Sequence, residues 1–381
     1  MAQSHFQEAT QIYESLGLRS HLANLYWCQG FLQHLLGIEH ASEAAYKRGL
    51  PIAQSSEHGD PATALDTWWF LGFLYQTQGL WDEALAAYRQ ATVLAAQLQN
   101  HHFAAQIDYR RGNIFARQGR HDQAFVAYQQ AIDGIEALRS AIETEEIKIG
   151  LLGTTQQVYE SMVLLCLEQG RQAEAFAYVE RACSRAFLDA LTKKSPELYE
   201  EFDQPIATLA EVQARLPEGA LLLEYFTIGV LPRGESLVNQ IPPENTRLRE
   251  HLLLPPRTLI FAVTRDSFAV HDAGLDPNIL RPQPGDPSPT SRLLRAPLLE
   301  RFYNHLLAPI GHLLQACELL YLVPHGPLHH VPFAALGRQA GAPLLHAAGP
   351  ALALAPSATV LLRSCLGRPS SRAAGMLALG Y

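Results

Sequence analysis

The sequence predicts a multidomain chain: an all-α helical solenoid over residues 1–194, a connecting segment over 195–218 and an α/β domain over 219–381. Two observations lead there. One glycine-anchored template recurs four times in the first half. Beyond Gly219 the apolar pattern changes to short strand-like runs alternating with helical ones, which implies an α/β sheet.

The template is legible from glycine pairs seven residues apart: Gly30 and Gly37, Gly72 and Gly79, Gly112 and Gly119. Taking the second glycine of each pair as an anchor, with Gly170 as a fourth, the fifth position onward is Ser42, Ala84, Ala124 or Ala175. The ninth is Tyr46, Tyr88, Tyr128 or Val179, and the twelfth is Gly49, Ala91, Ala131 or Ala182. Such spacing describes a helical hairpin. Small residues let two helices approach, and the large ninth residue is expected to fill the gap between neighbouring hairpins. Gly79 and Gly119 stand where a first helix must end, which suits a C-terminal cap. Asp82 and Glu83 fall in the first turn of the next helix, where negative charge is favoured. Ala9 and Tyr13 fit the second helix of a repeat whose first helix is missing.

Trp68, Leu71, Gly72, Tyr75, Ala84, Tyr88 and Ala91 together resemble the tetratricopeptide repeat, over roughly residues 5–190. The anchors are spaced wider than the ~34 residues of the standard unit, so the helices here are expected to be longer. The resemblance implies a groove that takes a protein or peptide partner. Trp69, Phe73, Tyr109 and Asn113 are the groove-facing candidates. They are apolar or neutral, and no Lys/Asn clamp for a C-terminal carboxylate is evident.

Composition narrows the partners. Hydrophobic residues are 48% and charged residues 17% of 381, an ordinary folded composition. The net charge of −8 offers no basic patch for nucleic acid or anionic lipid, so neither direct nucleic-acid nor membrane binding is expected. Five scattered cysteines without a CxxC pair argue against a disulfide framework or a zinc ribbon. The start lacks the pattern of a signal peptide, and no apolar run reaches the ~18 residues of a membrane span. A cytoplasmic location is the expectation.

In the second half, Glu174–Lys194 reads as one amphipathic helix and Ala220–Gly229 as a buried strand. Thr258–Gly274 reads as a hairpin about Arg265–Asp266. Leu231–Pro256 and Asp272–Ser291 are Pro-rich and read as surface loops. A helix is expected over Arg292–Ala316, a strand over Glu318–Val323, a turn at Pro324–Pro327 and a short helix at Phe333–Leu336. A further helix opens at Pro356 and Ser357, and an apolar strand closes the sequence.

Tyr321–Leu336, YLVPHGPLHHVPFAAL, followed by Ala355–Cys365 and LALGY, looks like the CHAT domain, the caspase-like domain found attached to tetratricopeptide repeats, mostly in bacteria. LLLEYF, FAVTRD and ERACSRAFLDAL fit the same family in order. The resemblance implies a cysteine peptidase of the caspase, separase and gingipain kind, regulated by a partner. In that family a His, commonly in a His-Gly pair, follows the strand after the LALG-type segment, and the nucleophilic Cys follows the next strand. The sequence stops at Tyr381, before either, so no catalytic residue is assigned and the chain as given is expected to be an inactive fragment. A non-enzymatic interaction scaffold is the alternative.

The remaining chemistry-bearing residues have structural readings. Pro324, Pro327 and Pro332 prevent His325 and His329 from sharing one helical face, and no carboxylate or Cys lies beside them, so no metal is expected. Cys365 ends an apolar helix and Cys166 and Cys183 sit at packed positions. Ser357 suits a helix N-cap, and Asp266 belongs to a turn. No cofactor is expected.

Overall fold

A computed structural model describes residues 2–55, 57, 59–141, 145–194, 205–230, 241–281, 293–337 and 349–366. The chain forms two compact units, Met1–Leu165 with Leu231–Leu254, and Cys166–Val230 with Pro255–Tyr381.

The first unit is helical, with α1 Ala2–Ser15, α2 Arg19–Leu35, α3 Glu39–Ala53, α4 Pro61–Gln78, α5 Trp81–Gln97, α6 His101–Arg117, α7 His121–Ala141 and, up to Leu165, α8 Glu145–Glu168. Helices α2 and α3, α4 and α5, and α6 and α7 pair as hairpins. Each first helix stops the same way. At the end of α4 the Gly79 N–H donates to Gln76 and the Leu80 N–H to Tyr75, which closes the last turn and requires a left-handed residue between them. Gly79 supplies it at φ 78°, and Gly37 and Gly119 do so at 75° and 71°. The start of α4 is set by Asp60, whose carboxylate accepts from the Ala62 and Thr63 amides ahead of Pro61.

The earlier glycine of each pair has a different task. A Cβ on Gly30, Gly72 or Gly112 would stand 2.5, 2.8 or 2.5 Å from a ring carbon of Tyr46, Tyr88 or Tyr128. The ninth-position tyrosine therefore lies first on the glycine of its own hairpin, not between hairpins as its spacing suggests. Its hydroxyl is held there as well: Tyr88 donates to Gln76 and Tyr128 to Asn113, both at 2.8 Å. Tyr46 reaches further and joins a cluster with Leu71 and Leu74 of α4.

The second unit contains α9 Gln172–Lys194, α10 Leu209–Arg215 and a five-stranded sheet. Strand β1 is Ala220–Ile228. After it, in the first unit, comes α11 Thr246–Leu252, then β2 Arg257–Val263 and β3 Phe268–Asp272 back in the second. Helix α12 Ala296–Leu306, β4 Leu319–Val323, β5 Ala351–Leu354 and α13 Ala358–Leu361 complete it. The strand order is β3-β2-β1-β4-β5, with the β3–β2 and β2–β1 pairs antiparallel and the β1–β4 and β4–β5 pairs parallel. Every residue of β1 is buried, as its unbroken apolar run implies. Leu221, Leu223 and Tyr225 pack with Phe302, Leu306, Ile310 and Phe333 on one face. Leu222, Glu224 and Phe226 point to the other. There Phe176 of α9 meets Phe261 of β2, with ring centroids 6.2 Å apart.

Several expectations change. Leu231–Pro256 is not simply a surface loop, because its described part carries α11. The helix expected over Arg292–Ala316 breaks at Leu307, since Pro309 has no N–H to continue it; a 3-10 turn, Ala308–Ile310, and the short turn Gly311–Leu314 follow. Phe333–Leu336 is one 3-10 turn, Phe333–Ala335. Strand β5 was masked in the sequence by Pro and Ala on both sides. The closing apolar strand lies outside the described residues.

Candidate functional site: the inner face of the repeat array

Helices α2, α4 and α6 are the first helices of successive hairpins, and residues on them and on α8 form the candidate site. On α4, Trp69 and Phe73 stand one turn apart with ring centroids 5.7 Å from each other. Both are buried, as is Tyr109 on α6. Tyr109 Oη lies 3.5 Å from Ser161 Oγ on α8. Asn113 is half-buried and its side-chain oxygen is engaged by Tyr128, so it braces its own hairpin.

The residue that joins the aromatic candidates is Arg110, which their spacing did not single out. Its guanidinium carbon stands 4.4 Å from the Phe73 ring centroid, 5.4 Å from Tyr109 and 5.7 Å from Trp69. It is only 6% exposed, so the attraction between cation and ring quadrupoles acts with little solvent screening. The face is thus not apolar or neutral as its candidates suggested. One sequence signal existed: Arg110 stands as far before Gly119 as Phe70 does before Gly79, a charge where the neighbouring repeat has an aromatic.

The face is already occupied. Helix α11 and its cap residues touch α2, α4, α6 and α8. Its N-cap, Asn245, accepts the Leu248 amide with its side-chain oxygen and donates its side-chain nitrogen to the His34 and Leu35 carbonyls, at 3.0 and 3.1 Å. One amide therefore caps the start of α11 and the end of α2 together. At the other end, Arg110 Nη1 donates to the His251 carbonyl at 3.3 Å, and Gln157 Nε2 donates to the Leu252 carbonyl at 2.8 Å. These are the orphan carbonyls and negative dipole end of a helix, met by a cation and an amide. Leu248 is buried, α11 also packs on α4, and Arg247 pairs with Glu39 at 2.9 Å on the rim.

Two histidines line this contact. Burial holds His34 down to about 4, with the nearby His251 adding to the effect. Burial also lowers His251, with Arg117 and Arg110 contributing and a backbone bond to Arg247 opposing. Among the described residues, Arg110 Nε, His251 Nε2 and Trp69 Nε1 are buried without a hydrogen-bond partner.

In the second unit the HG turn after β4 is a packing device. His325 is fully buried against Phe226, with centroids 4.7 Å apart. Its Nδ1 accepts from the Thr227 amide at 3.1 Å, which leaves the ring proton on Nε2, and the Thr227 hydroxyl at 2.8 Å donates to it too. Burial, then the charge of His329, takes His325 down to about 4. Gly326 follows at φ 54°, and a Cβ there would stand 2.8 Å from Thr227 Oγ1. Ser357 caps α13 by accepting from Val360. Asp266 lies in the β2–β3 turn. No group of three His, Cys, Asp or Glu among the described residues is placed to hold a metal ion. The Cys365 side chain lies outside the described residues, whereas Cys166 and Cys183 are buried.

Beneath β1 lies a buried acidic pair. Glu180 of α9 accepts from the Ala358 and Thr359 amides at 2.7 and 2.6 Å and from the Thr359 hydroxyl, holding the start of α13. Glu224 of β1 faces it, fully buried beside Cys183. Burial raises Glu224 well above the ordinary carboxyl value, and the Glu180 charge raises it further. Both Glu224 carboxyl oxygens are buried without a hydrogen-bond partner, so the site favours the neutral acid. Burial also raises the Cys183 thiol, with Glu224 and Glu180 contributing.

Family comparison matches residues 63–137 to the tetratricopeptide repeat and residues 296–380 to the CHAT domain. The chain has a TPR–CHAT architecture. The TPR match spans α4 to α7, and with them Trp69, Phe73, Tyr109, Arg110 and Asn113. The CHAT match takes in α12, β4, the HG turn, β5 and α13. No curated protein matches the chain. Among solved structures, BtubC (BKLC) from P. vanneervenii is 19% identical with a TM-score of 0.40, over 53% of this chain and 85% of that one. The Rap conjugation gene regulator of the plasmid pLS20, in complex with the Phr* peptide, is 19% identical with a TM-score of 0.37, over 53% of each chain. No helix among the described residues is long and apolar enough to cross a membrane.

Proposed function

We propose that the TPR groove binds a protein or peptide partner, and that the CHAT region belongs to a partner-regulated bacterial, cytoplasmic cysteine peptidase of the caspase and separase kind. The observation that carries the binding half is Arg110, a buried cation stacked on aromatic rings with one nitrogen on a helix carbonyl and its Nε unpartnered. Such a group recognises the carbonyl end of a helix or a carboxylate. The peptidase half rests on the family match. No described residue is assigned a catalytic role in this reading.

A displayed random-peptide library selected on the immobilised protein tests the binding half. Helix-forming peptides should be enriched, and the enrichment should vanish on Arg110→Met. Equal enrichment on both proteins would remove the groove as the site. For the peptidase half, the whole reading frame is expressed, a selected peptide is fused to a reporter, and cleavage is followed with and without a thiol alkylator. Cleavage that the alkylator stops supports the reading; an intact reporter counts against it.

A further inference from the structure

We propose that α11 is the resident ligand of the TPR groove, so that a partner helix of the same chemistry binds by displacing it. This deepens the partner-binding reading and rests on it only for the external partner. Residence of α11 in the groove stands on the geometry alone.

Antiparallel neighbours such as β1 and β2 are ordinarily joined by two to about five residues. Here the connection runs from Gly229 to Pro256, leaves the second unit and carries α11 into the first. Such an excursion needs a reason, and its contacts supply one. They have the form of a ligand's contacts. A polar cap at the N-terminus lies on the α2 carbonyls, one apolar anchor (Leu248) is buried, and two side chains grip the C-terminal carbonyls. Helix α11 covers only Thr246–Leu252, too short to be stable by itself, so its helicity comes from the groove.

The contacts are also incompletely satisfied. Arg110 Nε and His251 Nε2 are buried with no partner. A competing helix that ends in a free carboxylate would give both the Arg110 Nη1 and Nε a charged acceptor in bidentate geometry, a better match than the single His251 carbonyl. The partner chemistry this favours is a short helix with Asn, Asp or Ser at its cap, an aliphatic residue three positions on, and an acidic or carboxylate C-terminal end. Helix α11 then sets the threshold, because the affinity seen by any competitor is reduced by the fraction of molecules in which the groove is empty.

The test uses the full chain and a labelled synthetic peptide of residues 241–254. Two proteins are compared, the wild type and Asn245→Ala/Leu248→Ala, which loses the cap and the anchor. Hydrogen exchange reports whether the α11 amides lose protection while those of α4 and α6 keep theirs. The expected result is selective loss of α11 protection in the variant, together with peptide binding about tenfold or more tighter than to the wild type. Adding Arg110→Met to that variant should abolish the gain. Equal affinity for the two proteins despite undocked α11 would overturn the proposal, and so would α11 amides as exchangeable in the wild type as in the variant. Should loss of protection spread to α4 and α6, Arg247→Glu, which breaks only the rim pair with Glu39, replaces the double variant and is judged by the same two readouts. If the peptide binds as expected but the library selection enriches nothing, the resident-ligand inference stands and the external-partner reading falls.

Discussion

Glu224→Gln should make the second unit more stable at neutral pH, although it alters a completely buried residue. Glu224 lies fully buried against the Glu180 carboxylate, and burial followed by that charge raises it well above its ordinary value of 4.5. It therefore folds as the neutral acid. Its unfolded form ionises near the ordinary value, so keeping it protonated at pH 7 costs up to about 3 kcal/mol, at about 1.4 kcal/mol per pKa unit. A Gln amide has almost the same volume and stays neutral at every pH without a proton to take up. Burying its amide hydrogens where the carboxyl oxygens already lack partners returns about 1 kcal/mol and leaves a net gain of up to about 2 kcal/mol. The sign follows from the raised folded-state pKa: the wild-type contribution is full below about 4.5 and is lost as pH rises towards the folded value. The variant should therefore match the wild type, or fall slightly below it, at pH 5 and exceed it at pH 8. Hydrogen exchange of the β1 amides is the assay, because Trp27, Trp68, Trp69 and Trp81 all lie in the first unit and tryptophan fluorescence does not report on the sheet. Equal destabilisation at both pH values would refute the reasoning and show that Glu224 folds ionised.

Gly72→Ala should lower stability by about 1–2 kcal/mol in a fluorescence-monitored melt. Its methyl would meet the immobilised Tyr88 ring at 2.8 Å, and overpacking outweighs the helix propensity gained. Gly134→Ala, whose Cβ would meet only Ala105 at 3.4 Å, should instead gain up to about 1 kcal/mol in the same melt. Stability of the first unit should be flat above pH 6.5 and fall as pH drops towards 4. This follows because His34 folds neutral with its value lowered to about 4, so the unfolded chain takes up the proton first. The loss is up to about 3 kcal/mol, and His34→Gln should flatten the profile measured by urea titration. His325→Leu should cost about 2–3 kcal/mol by leaving the Thr227 amide and hydroxyl without an acceptor, while a chelator should leave the wild-type melting temperature unchanged.

What the sequence determined by itself is whatever rests on fixed local spacing. A glycine that ends a helix, a tyrosine nine residues on, and a strand apolar on both faces are each dictated within one or two turns of chain. The repeat, the β2–β3 hairpin and the HG turn were legible for that reason, and so was the Ser357 cap. The long helix expected at Arg292 failed at Pro309, a local signal that apolar periodicity concealed. Trp69, Phe73 and Tyr109 could be singled out because they recur with the repeat. Arg110 could not, because its meaning depends on rings from two helices and on a carbonyl far along the chain. The α11 segment reads as a Pro-rich loop because seven residues, even good helix formers, are too few to hold a helix in water. Only the tertiary structure supplied the amide, the cation and the apolar pocket that hold it. The same is true of Glu224, an acidic letter in an apolar strand whose protonation is decided by Glu180 and Cys183 from another helix. Spacing along the chain carries local geometry, while charge state and occupancy depend on groups that folding brings together from far apart.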